Sequence, residues 1–174
     1  ASQVGGISAT GFAALDATQV GALSNTQIGG VTATQIRGLD ATDVAELSAT
    51  QVGALSASQV GALSATNLSA LDATQAAALS GTQLRALSNT QVQGLSTTDL
   101  GELSATQVGS LSASQIGALS ATSLSALDAT QVGALSGTQM RGMTNAQLGG
   151  LSTTDVGELS ATQVGALSAT QVNA

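Results

Sequence analysis

Residues 47–54 read Leu47-Ser48-Ala49-Thr50-Gln51-Val52-Gly53-Ala54, and the next eight repeat them as Leu55-Ser56-Ala57-Ser58-Gln59-Val60-Gly61-Ala62. Worked outward from there, the same octad divides residues 7–174 into 21 copies with no insertion or deletion. Residues 1–6 match the tail of a further copy. Position 1 is Leu, Ile, Val or Met, and position 2 is Ser, Asp or Thr. Position 4 is Thr or Ser except at Ala146, and position 5 is Gln in most copies. Position 6 is apolar throughout, while positions 7 and 8 are mostly Gly and Ala. A short unbroken period marks units that each present too little apolar surface to fold alone and bury it by stacking.

A longer period lies over the first. Residues 47–102 and 103–158 are two blocks of seven octads, identical at 43 of 56 positions. Asp16, Asp72 and Asp128 recur once every seven octads, as do the pairs Asp43/Glu46, Asp99/Glu102 and Asp155/Glu158. Residues 1–46 fit the end of an earlier block and 159–174 the start of a later one. The whole of 1–174 is therefore expected to be a single continuous array, grown by duplication and cut from something longer.

Each octad carries the start and stop signals of a short helix. One long helix is excluded, because eight residues at about 100° each overshoot two turns by about 80° and would wind the Leu stripe around the axis. Ser48 with Gln51 three residues on is a capping box, in which the hydroxyl accepts a first-turn N–H and the amide reaches back. Leu47 and Val52 form the matching hydrophobic staple, and Gly53 offers a flexible position at which a helix can end. Asp at the cap (Asp16, Asp40, Asp72, Asp128) serves equally and suits the positive helix end. The expected fold is thus an α-solenoid or superhelix of very short capped helices, one per octad. A β-solenoid with two very short strands per octad is the alternative. Against it, strand alternation breaks between positions 3 and 6, and Ala, Gln and Ser form strands poorly. Small residues at positions 3, 7 and 8 should let successive backbones approach closely.

Composition narrows the function classes. Charged residues make up 7 % of the chain and hydrophobic residues 43 %, which argues against a solvated, self-repelling coil. A net charge of −7, with only Arg37, Arg85 and Arg141 as cations, gives nucleic acid no phosphate-tracking stripe. No apolar run is long enough to span a membrane, and no signal peptide is evident. The lack of His, Cys, Lys and Tyr removes the usual general bases and activated nucleophiles. Every Ser at position 2 is accounted for by capping. No catalytic residue, cofactor-binding residue or metal ligand is therefore assigned, and the chain is expected to be no enzyme.

Several departures from the consensus remain. Asp40, Asp43 and Glu46, with their successors Asp99/Glu102 and Asp155/Glu158, could clip Ca²⁺ between coils through hard carboxylate oxygens. No compact Asp/Asn/Gly ligand loop accompanies them, so a solvated edge with favourable helix N-terminal charge is the preferred account. The arginines all occupy position 7 and could pair with these acids across a turn, to little energetic effect. Phe12 replaces an aliphatic residue at position 6 and is assigned to the core. The evenly spaced Thr at position 4 resembles the surfaces of ice-binding proteins, and the Ser/Thr-rich exterior is open to O-glycosylation.

The Leu-Ser-Ala-Thr-Gln-Val-Gly-Ala consensus resembles the short-period tandem tracts of large bacterial secreted and cell-surface proteins, over the whole chain and in style of repetition. That resemblance implies an extracellular or cell-surface fibre, stalk or adhesin shaft. The expected function is accordingly a shaft, spacer or fibre-forming segment of an extracellular assembly. Filament or lateral self-association is expected, with a surface or glycan contact open to it. The alternative is a binding surface, for ice or polysaccharide, along the Thr row.

Overall fold

The computed structural model describes residues 2–173, apart from the side chain of Ser2. They form 22 helices of four to six residues and no strand, numbered here in chain order from α1 (Ser2–Gly5) to α22 (Ala169–Val172). The chain divides into two compact units, Ala1–Leu87 and Ser88–Ala174. Each unit is an α-solenoid of one short helix per octad. The β-solenoid alternative is not adopted, because the box at each octad start satisfies first-turn N–H groups locally and commits the next four residues to helix.

The α7 helix (Ala49–Ala54) shows how a typical octad folds. Ser48 is the N-cap, with an extended backbone, and its Oγ accepts the Gln51 N–H at 3.3 Å. Gln51 Oε1 in turn accepts the Ser48 N–H at 2.9 Å. Leu47 and Val52, the staple pair, are both buried. Leu55 returns to extended backbone, and its N–H donates to Val52 O at 3.2 Å. A one-turn helix of this kind has almost no interior, so its caps carry most of its local stability.

The box is incomplete at three described N-caps, those preceding Gly11, Asn67 and Ser123 at position 5. Gly has no side chain, while the other two pair with the N-cap hydroxyl, Asn67 Oδ1 accepting from Ser64 Oγ at 2.8 Å and Ser123 Oγ lying 2.8 Å from Ser120 Oγ. These three positions are seven octads apart, so each block carries one weakened octad.

Helices end at or beside the position-7 glycine in several octads, as at Gly21, Gly29 and Gly61. No described residue has a positive φ, so no helix ends through a left-handed glycine. The glycines instead admit the neighbouring coil. A Cβ on Gly61 would stand 3.0 Å from Ala86 O, and one on Gly109 3.0 Å from Ala134 O. The tightest approach joins α15 (Ala113–Ala118) to α18 (Gly137–Gly142). There a Cβ on Gly117 would run into the Gly142 carbonyl oxygen, and one on Gly142 into that of Ala113. The expected close approach at positions 3, 7 and 8 is thus observed.

Stacking within each unit joins a helix to the third one along. Examples are α4 (Asn25–Ile28) with α7, α7 with α10 (Ala73–Ala77), and α18 with α21 (Ala161–Ala166). The core is the column of position-1 and position-6 side chains between them, among them Ile28, Val52, Leu84, Ile116 and Met140, each 1 % exposed or less. Phe12 joins it, at 4 % exposure.

Candidate functional site

The most distinctive side-chain arrangement in the chain is a ladder of buried glutamines. Position 5 is polar and lies in the first helical turn, yet Gln35, Gln51, Gln59, Gln75, Gln83, Gln131, Gln139, Gln147, Gln163 and Gln171 are all buried. Their Oε1 atoms accept from their own N-cap N–H, which leaves the Nε2 hydrogens facing the previous coil. Gln51 Nε2 donates to Val20 O at 2.8 Å and Leu23 O at 2.9 Å. Gln147 Nε2 donates to Ile116 O at 2.8 Å and Leu119 O at 2.6 Å. The acceptors always lie 31 and 28 residues back, in unit 1 (Gln35, Gln59) as in unit 2 (Gln131, Gln163). One amide thus closes a helix N-terminus and caps two carbonyls of the coil beneath it.

The step from each Gln to its nearer-numbered acceptor, 28 residues back, sets the size of a coil. It equals three and a half octads, so position 5 of one coil lies over position 1 of the previous one. Two coils make seven octads, the length of the duplicated block. The longer sequence period is therefore the shortest stretch after which the same octad position returns to the same side of the coil.

Sequence reasoning placed Gln in the capping box and missed its second bond. A signal was present: position 5 is never Glu. Glu would complete a capping box as well as Gln does, so its absence points to a neutral side chain with –NH₂ donors to place.

The acidic octads are where the ladder is interrupted. Asp43, Asp99 and Asp155 occupy position 5 and close capping boxes, Asp43 Oδ2 accepting Asp40 N–H at 2.8 Å and Asp155 Oδ2 accepting Ser152 N–H at 2.7 Å. Asp40 Oδ1 accepts the N–H groups of Thr42 and Asp43. A carboxylate donates nothing to the coil beneath. Asp155 instead accepts the Ser125 hydroxyl at 2.9 Å, from the same octad as the weakened cap at Ser123. The Ser152 N–H first, and the Ser125 hydroxyl next, hold its carboxyl below the ordinary aspartate value. A cavity of about 20 Å³ adjoins Asp155, lined largely by Leu124, Leu127, Met140 and Leu151. Glu46 caps the C-terminal end of α6 (Ala41–Ala45), and its Oε2 is sealed from solvent without a hydrogen-bond partner among the described residues. Among the described residues no three His, Cys, Asp or Glu side chains converge on one point.

The remaining candidates lie on the surface. Arg37, Arg85 and Arg141 are exposed in the last turns of their helices, where a cation suits the helix dipole. The position-4 side chains, from Thr10 to Thr170, are exposed throughout. Several pair with the cap hydroxyl, as in Ser48–Thr50 at 3.1 Å and Ser168–Thr170 at 3.0 Å. Because a coil holds three and a half octads, position 4 lies over position 8 of the next coil, so Thr returns to one place on every second coil. No described helix is long and apolar enough to cross a membrane. No protein family, curated protein or solved structure matches the chain.

Proposed function

We propose that this chain is a non-catalytic structural repeat protein, a shaft, spacer or fibre-forming segment of an extracellular or cell-surface assembly that works by self-association. The observation that carries this reading is the glutamine ladder. The residue types that recur in most octads are taken up in holding one coil to the next: Ser or Asp as cap, Leu and Val as core, Gly and Ala as close approach, Gln as clip. An array assembled from one repeated bond can be lengthened without redesign and transmits load along the stack. Electron microscopy tests the proposal, using the chain and a version lacking residues 103–158. Elongated particles whose length falls by about a third in the deletion support it, and compact globular particles of both chains would sink it.

A second reading rests on the exposed hydroxyl pairs. They offer water, or the hydroxyls of a polysaccharide, a regular set of donors and acceptors on a surface with little charge. Ice-crystal shaping or thermal hysteresis at high protein concentration tests the ice version, and an unaltered crystal habit removes it.

A further inference from the structure

The acidic octads depart from the rest of the array at several contacts, and the departures fall together. In unit 1, Asp43 stands where a clip would be, between Gln35 and Gln51, which are both clipped to the coil beneath. The 28-residue step places Asp43 over the Leu15 carbonyl, to which no described residue donates. In unit 2 the same step places Asp155 over the Leu127 carbonyl, which likewise receives nothing among the described residues. One octad on, Leu135 O takes Gln163 Nε2 at 2.9 Å. Asp155 keeps a single side-chain bond downward, from the Ser125 hydroxyl at the exposed edge, and Ala13 offers Asp43 none. The octads that precede Leu15 and Leu127 carry the incomplete boxes, at Gly11 and Ser123.

Close approach of the coils fails at the same places. A position-7 glycine elsewhere lies against the position-8 residue 25 further on, a Cβ on Gly53 standing 3.3 Å from Ala78 O and one on Gly109 3.0 Å from Ala134 O. In that register Gly21 falls beneath Glu46 and Gly133 beneath Glu158, and neither Cβ site has an atom within 4 Å. Gly101, in the octad of Asp99, falls beneath Ala126 and is equally open. The cavity of about 20 Å³ beside Asp155 belongs to the same gap. What the acidic octads retain is their own capping box, Asp43 on Asp40 and Asp155 on Ser152. They therefore fold locally as their neighbours do and differ in their hold on the coil beneath.

We infer that the acidic octad is a built-in joint, the place at which neighbouring coils of a unit part first. Lifting an ordinary octad breaks two amide bonds and strips a donor from a buried carbonyl, which is costly. Lifting α6 or α20 (Thr153–Glu158) breaks neither, because the Leu15 and Leu127 carbonyls have no amide to lose. The Gln clips on either side of Asp43 confine the opening to one octad. Since the acidic octad recurs once in seven, the array carries one such joint for every two coils. This behaviour belongs to the stack itself and holds whatever the chain's function.

Native-state hydrogen exchange of the full chain tests the joint, read residue by residue by NMR as protection factors. The reporters are position-6 amides, each bonded to its own N-cap carbonyl: Val44 against Ile36, and Val156 against Val164. A one-turn helix freed from its coil does not persist in water, so its amides exchange at each opening. Val44 should be less protected than Ile36, and Val156 less than Val164, by about tenfold or more. Fraying from the chain ends gives the reverse order, because Ile36 and Val164 lie nearer the ends than their counterparts. Asp43→Gln and Asp155→Gln supply the missing amide and should bring Val44 and Val156 within about threefold of Ile36 and Val164. Gln51→Asp should create a joint at α7, lowering protection at Val52 about tenfold. Equal protection within each pair, the fraying order, or a contrast that survives the Asp→Gln changes would overturn the joint.

Discussion

Replacing Gln147 by Leu removes one rung of the ladder while keeping side-chain size. Its Nε2 now donates to Ile116 O and Leu119 O, and its Oε1 accepts the Thr144 N–H at 2.6 Å. Ile116 O would keep the Leu119 N–H at 3.2 Å. Leu119 O would be left in a buried setting with no donor, which costs about 1–3 kcal/mol. The second bond adds about 1 kcal/mol, and loss of the box about 0.5–1 kcal/mol. The new apolar side chain returns about 1 kcal/mol by burial. The net loss is about 1.5–4 kcal/mol, measured by urea unfolding followed by circular dichroism. The control is Gln19→Leu, where the side chain is exposed and only a cap is lost, at under about 1 kcal/mol. Gln147→Glu keeps the cap acceptor but turns an oxygen toward two carbonyls. It should cost at least as much at neutral pH and recover on acidification, when the protonated carboxyl again donates. Equal losses for Gln147→Leu and Gln19→Leu, within about 0.5 kcal/mol, would refute the claim that the amide holds coils together.

Gly117→Ala and Gly142→Ala should each cost about 1–3 kcal/mol, because the new methyl meets backbone that cannot move aside. Gly133→Ala, with no atom within 4 Å of its Cβ site, should gain about 0.4–1 kcal/mol, all three variants being compared by urea unfolding. Glu46→Ala restores the usual residue of position 8 and removes both a partnerless carboxylate oxygen and a negative charge at a helix C-terminus. A gain of about 1 kcal/mol in chemical unfolding is expected, and a loss would show that the carboxylate has a partner in solution. Asp155 has a carboxyl depressed in the folded chain, so its contribution is present above the unfolded aspartate range and lost as pH falls through the folded value. Melting curves against pH should show that Asp155→Asn lacks this part of the acid loss. Asp155→Gln should raise the melting temperature at neutral pH, by filling the adjoining cavity and presenting an amide to Leu124 O and Leu127 O, and a lowered midpoint would count against that.

Much of the octad was legible before any coordinates. Ser48, Gln51, Leu47 and Val52 act within eight residues, so spacing alone identifies cap, box and staple. Close approach at positions 3, 7 and 8 was readable too, because small side chains leave room only for another backbone. The end of the helix was legible in part: Gly53 lies in the last turn, but the chain leaves the helix without a left-handed residue, when Leu55 turns extended to reach the core. The acidic octads invited a cation, yet Asp40 and Asp43 point their oxygens at their own helix N-termini.

The sequence by itself determined that every octad would form a self-capped turn and that no turn would stand alone, because those properties depend on bonds spanning three or four residues. Only the tertiary structure decided how many octads close a coil, and with it the second role of Gln51 and its equivalents. Their amide hydrogens find carbonyls a full coil away, at a separation set by the summed bend of three and a half octads. The seven-octad duplication recorded the answer, as two coils of three and a half, but its meaning needed the coil itself.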